Sequence, residues 1–131
     1  MRHHLLIVLF FLSPVLARAE LAPSAYEAMQ AAASDYVRIE VLRVDVEPGS
    51  EPTDQNVSLV ATVSEVIRTG SGLKPGDIIT ITYVLKEHPK GWAGPGPVPV
   101  LSESQQTIAY LKKEETGDYS PAAGRMSFSN F

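Results

Sequence analysis

Apolar and polar residues alternate along four stretches of this chain. Each alternation predicts a strand, because successive side chains of extended backbone face opposite ways. Between Leu73 and Val84, Pro75-Gly76 supplies a turn; beyond Asp77, Ile79, Ile81 and Tyr83 point one way and Thr80 and Thr82 the other. Upstream, Val57 to Ile67 places Val57, Leu59, Ala61 and Val63 on one face, while Val60 and Val66 keep the other partly apolar. The two stretches read as a long hairpin with a loose connection, Thr69-Gly-Ser-Gly72. Downstream, Gln106 to Lys112 sets Ile108 and Tyr110 against Thr107, Ala109 and Leu111.

The first stretch, Asp35 to Glu47, is irregular. Val37, Ile39 and Val41 are apolar at period two, and then the phase turns over to Leu42, Val44 and Val46. A strand reverses its apolar face only by carrying an extra residue, so a β-bulge is expected near Val41-Leu42. Partial exposure of both faces is the alternative. A short fifth strand is expected at Arg125 to Ser129, with Met126 and Phe128 on one side. Ahead of the strands, Ala25 to Ala33 is alanine-rich, with Tyr26, Met29 and Ala33 on one helical face. Ser24 and Glu27 have capping-box spacing. So short a helix needs docking, and a plug over one barrel mouth is expected, a partner-binding helix being the other reading.

Five strands, a bend in the first and a long excursion between the third and fourth predict a mainly β fold: a small five-stranded OB-like barrel with a short N-terminal helix. The excursion includes Pro89 to Pro99, in which seven of eleven residues are Gly or Pro, a composition that neither helices nor central strands accept. It holds Trp92, the only tryptophan. Two roles are open for it: a lid folded onto the barrel, or an exposed binding anchor.

The start of the chain reads differently. Arg2, His3 and His4 precede the apolar run Leu5 to Leu12; Ser13-Pro14 breaks it, and Ala17-Arg18-Ala19 has the small residues of a cleavage site. Residues 1–19 are therefore expected to be a signal peptide, with 20–131 as a single domain in a secreted or periplasmic setting. The apolar run is shorter than the roughly 20 residues that a membrane span needs. Losing Arg2 and Arg18 leaves nine bases against fifteen acids, a net charge of −6. An acidic chain without a basic run repels phosphate backbones, so nucleic acid is not an expected partner. There is no cysteine, so the domain has to hold by packing alone.

Chemistry narrows further. Without its leader the chain has one imidazole, His88, and no thiol, which leaves neither a zinc ligand set nor a Cys/His pair. A Ser-His-Asp triad would have to use His88, at the edge of the Gly/Pro segment. Glu47, Glu51, Asp54 and Asn56 have no calcium-loop spacing, and the acids of Lys113 to Asp118 read as a solvated turn. No catalytic residue, metal or cofactor is expected.

Three stretches carry a family resemblance: Val60-Ala61-Thr62-Val63, Leu73-Lys-Pro-Gly-Asp77, and Ala109-Tyr-Leu111 before a Gly-containing turn. In order they resemble the OB-fold domains of tissue inhibitors of metalloproteinases and netrin-like modules. Tyr119 to Ala123 with Ser127-Phe128 is similar to the end of bacterial secreted proteins of uncharacterised role. The inhibitors hold metal through an N-terminal cysteine that this chain lacks, so the resemblance implies the fold and not that mechanism. The function expected is a non-catalytic binding or adaptor module for a protein or glycan, presenting Trp92, Lys90, Pro95 and Pro97. A protease inhibitor working without the cysteine is the second reading.

Overall fold

The structure is a computed structural model that describes residues 21–87, 91 and 94–130. The expected leader, His88, Lys90 and Trp92 lie outside the described residues. One helix, α1 (Pro23–Ala32), precedes five strands: β1 (Asp35–Pro48), β2 (Asp54–Thr69), β3 (Ile78–Lys86), β4 (Gln106–Lys113) and β5 (Tyr119–Pro121). They close into a barrel in the order β1-β2-β3-β5-β4, so the OB-like barrel with an N-terminal helix is what the chain forms. All neighbours are antiparallel except β3 and β5, which meet in parallel at Ile81 and Tyr119. No helix among the described residues is long and apolar enough to cross a membrane.

The interior is the set of faces that alternation selects. Val37, Ile39, Val57, Leu59, Ala61, Val63, Ile81, Ala109 and Leu111 are all but sealed from solvent. Leu73, Leu101 and Phe128 join this core from outside the strands. The expected bulge is present: Val41 faces Ala61 and Arg43 faces Val60, leaving Leu42 as the extra residue. Beyond it Val44 packs inward and Leu42 and Val46 stay about half exposed. Two further shifts on the same pair lie at Tyr36/Val37 and Arg38/Ile39. The hairpin of β1 and β2 turns through Gly49, where a Cβ would sit 2.7 Å from the Cβ of Asp54. Pro75-Gly76 turns as expected, with Gly76 at φ +92° and Asp77 N bonded to Lys74 O.

Four expectations are corrected. The fifth strand is Tyr119–Pro121, and Gly124–Met126 is instead one 3-10 turn. Gly124 takes φ +52°, and Ser127 Oγ donates to Gly124 O while accepting from Ala123 N, local bonds that replace a strand ladder. The helix starts at Pro23 with Ala22 as N-cap, so Ser24 lies inside the first turn and caps nothing. Proline tolerates that first position because its missing N–H has no helical partner there.

Nor does α1 plug a mouth. It shares with the C-terminal segment a smaller cluster on the outer face of β1 and β4: Ala33, Ile108, Tyr110 and Ala123, with Met29 and Tyr36 against them. Tyr36 and Tyr110 stack there at 4.3 Å between centroids. Buried Gln30 donates to Met126 O (2.9 Å) and Ser129 O (2.8 Å), tying helix to tail. Arg68 of β2 caps the same C-terminal end of α1, reaching Gln30 O and Ala33 O at 2.8 Å each. Lastly, the Thr69–Gly72 connection is not loose: Thr69 Oγ1 accepts from Gly72 N (3.0 Å) and Leu73 N (2.9 Å).

Gln30→Ala is expected to lower stability by about 2 kcal/mol, since two tail carbonyls lose their donor. Urea unfolding measures the loss. Hydrogen exchange should quicken in 23–32 and 124–130 before it does in β2.

Candidate functional site

Past Leu42 the outward side chains of β1 are Arg43, Asp45 and Glu47. Cross-strand register builds them into rows: Asp45, Ser58 and Thr82 in one, and Glu47, Asn56 and Val84 in the next. Neighbours within such a row stand roughly 5 Å apart at Cβ. Glu114 of the turn between β4 and β5, and Ser120 of β5, add to the lining. The result is an open groove of about 780 Å³, with Val57 and Tyr83 also in its lining.

Three carboxylates line this groove. Asp45 is met by Arg43 at 2.9 Å, both well exposed, and Glu114 accepts from Ser120 Oγ at 2.6 Å with Lys112 Nζ 4.0 Å away. Glu47 has no ion pair among the described residues. Between the acids lie the hydroxyls of Ser58 and Thr82 and the amide of Asn56, and Val84 adds a half-exposed apolar spot. Burial pushes the Tyr83 phenol up to about 12, so it stays protonated and donates to Pro99 O at 2.7 Å. No group of three or more His, Cys, Asp or Glu suited to a metal ion occurs among the described residues. The arrangement therefore offers negative charge and hydrogen bonds on a rigid, slightly apolar floor.

The expected site is only partly described. Pro97 is exposed and lines a second groove of about 520 Å³, between Val98-Pro99-Val100 and the ends of β2 and β3 at Gln55, Leu85 and Lys86. Pro95 is exposed and lines neither groove. Lys90 and Trp92 fall outside the described residues. Sequence reasoning missed the acidic groove by reading Glu114 as part of a solvated turn and Glu47 only against a calcium loop. The signal lay in the phase reversal, which puts Asp45 and Glu47 on one outward face.

A second polar feature was also missed. Asp35 is fully buried at the start of β1. Its Oδ1 accepts from Thr69 Oγ1 (2.6 Å), Ser71 Oγ (2.8 Å) and Ser71 N (3.3 Å), and its Oδ2 accepts from Ser34 Oγ (2.8 Å). The Ser71 proton goes to Asp35, so the Tyr119 hydroxyl, 2.7 Å away, donates to Ser71. One carboxylate thus fastens β1, the β2–β3 connection and β5. Desolvation pushes its pKa up, but the bonds from Thr69, Ser71 and Ser34 outweigh it and hold the carboxyl below its ordinary value. With these donors in place the group is a structural knot.

Compared with family models, with curated proteins and with solved structures, the chain matches none. The molecule is a closed five-stranded OB-like barrel with an acidic groove on its wall.

Because the folded carboxyl of Asp35 has the lower pKa, its stabilisation is present above about pH 4 and is lost as pH falls through the folded value. Asp35→Asn is expected to cost about 2 kcal/mol at pH 7. The difference from wild type should shrink in acid, as read from urea midpoints across pH 2 to 7.

Proposed function

We propose that the protein is a non-catalytic secreted or periplasmic binding module whose acidic groove receives a basic segment of a partner protein. The observation that carries this reading is the placement of Asp45, Glu47 and Glu114 around one groove with Asn56, Ser58 and Thr82 between them. A Lys or Arg side chain laid across β1–β3 would meet a carboxylate on either side and hydrogen-bond acceptors beneath. The formal charge of −4 supports a cationic partner and disfavours nucleic acid. The leader reading of residues 1–19 supports export.

Concavity favours binding over inhibition. A protease inhibitor has to project a segment into a cleft, whereas part of the Gly/Pro connection is folded back: Val98 and Leu101 pack on the core, and Pro99 is tied to Tyr83. The inhibitor reading keeps its place as the outcome in which the captured partner is a protease whose activity falls.

The test is capture from native extract, followed by affinity measurement with the recovered partner. Asp45→Asn, Glu47→Gln and Glu114→Gln together are expected to weaken binding by roughly tenfold or more, and rising salt should weaken the wild type. The melting temperature should stay nearly constant, since all three groups are outside the core. Binding that ignores these changes but is lost in Trp92→Ala would move the site to the Gly/Pro segment and refute the groove.

A further inference from the structure

The second half of β1 has an uncovered edge. β1 and β4 stay paired from Asp35–Leu111 to Glu40–Gln106, and the last bonds between the two segments run from Val41 N to Gln105 O and from Ser104 N to Val41 O. From Arg43 to Pro48, β1 pairs with β2 on one side and, among the described residues, with no strand on the other.

Which backbone groups face that edge follows from alternation. Val63 bonds towards the β3 side, through Val63 N to Asp77 O (2.8 Å) and Gly76 N to Val63 O (2.7 Å). Val60 and Ser58 therefore turn their groups towards β1, and their register partners Arg43 and Asp45 answer them. Val44 and Val46 are left with N–H and C=O aimed outward. Such an edge is a template for another strand.

We propose that two copies of this chain pair antiparallel along this edge, about a two-fold axis through Val44. Charge selects the register. Centred on Arg43, that arginine would face its own copy; centred on Asp45, that aspartate would; centred on Val46, Asp45 would face Glu47. Centred on Val44, Arg43 lies opposite Asp45 of the second copy, and symmetry repeats the pair. These are non-hydrogen-bonded positions, where Cα atoms approach to about 4.5 Å and side chains are closest. Leu42 then covers Val46 of the second copy; they are 46% and 45% exposed in the single chain. Val44 bonds its own copy twice.

The stretch Leu42-Arg-Val-Asp-Val46 is thus complementary to itself when reversed, as an isologous interface requires. The bulge and Pro48 bound the run, since proline offers no N–H to an edge. Pairing in this way makes one six-stranded sheet of the two ribbons and puts both acidic grooves on the same side. The inference does not rest on what those grooves bind.

Sedimentation velocity on the purified protein, over about a hundredfold range of concentration, tests it, because mass action makes a weak dimer concentration-dependent. The mass should rise from one chain towards two. Arg43→Asp sets a carboxylate against Asp45 of the second copy and should hold the protein monomeric. Combining it with Asp45→Arg restores opposite charges and should restore the dimer. Circular dichroism confirms that both variants fold. Amides of Val44 and Val46 should exchange slowly only at high concentration. A protein monomeric throughout, a dimer that Arg43→Asp leaves intact, or a double variant that stays monomeric would each overturn the pairing.

Discussion

One extra residue in β1 decides most of what this molecule is. With Leu42 left out of the pairing, the strand turns over, and a single chain segment serves two parts of the barrel wall. Up to Glu40 it bonds both β2 and β4; beyond, it leaves β4 and runs on with β2 alone. The reversal keeps Val44 inside and turns Asp45 and Glu47 out. In an unbroken strand those two carboxylates would face the core, at several kcal/mol each for the lost hydration. The bulge therefore closes the barrel, spares the core two charges and lines the groove with them.

The rest of the wall is held by side chains that act between elements. Asp35 gathers donors from Ser34, Thr69 and Ser71, and through Ser71 it reaches Tyr119 of β5. That link matters because β5 has only three residues and meets β3 at a single pair. Gln30 and Arg68 do the same for the ten-residue α1, which is too short to persist unaided. No cysteine is present, so hydrogen bonds between distant segments join parts of the chain that a disulfide could otherwise have linked.

How far the sequence disclosed this depended on the range of the interaction. Period-two alternation marked the four long strands and their faces, and the phase reversal located the bulge, because both are local consequences of backbone geometry. The end of the chain was misread. Met126 and Phe128 alternate like a strand, but Ser127 bonds back to its neighbours and Phe128 enters the barrel core. The docking of α1 was hidden because Gln30, polar and unremarkable in sequence, owes its burial to carbonyls nearly a hundred residues away. Asp35 was hidden likewise, its donors lying in a connection that reads as slack. Glu114 could join Asp45 and Glu47 only once the barrel had closed.

Groove, edge and closure therefore share one cause, and a register measurement reaches it directly. Cross-strand Hα–Hα contacts by NMR are strongest between non-hydrogen-bonded pairs of antiparallel strands. The bulged strand requires contacts between Val41 and Ala61 and between Val44 and Leu59, with none linking Leu42 into the ladder. A contact from Arg43 to Leu59 instead would mean an unbroken strand, with Asp45 and Glu47 turned inward, and would contradict the account.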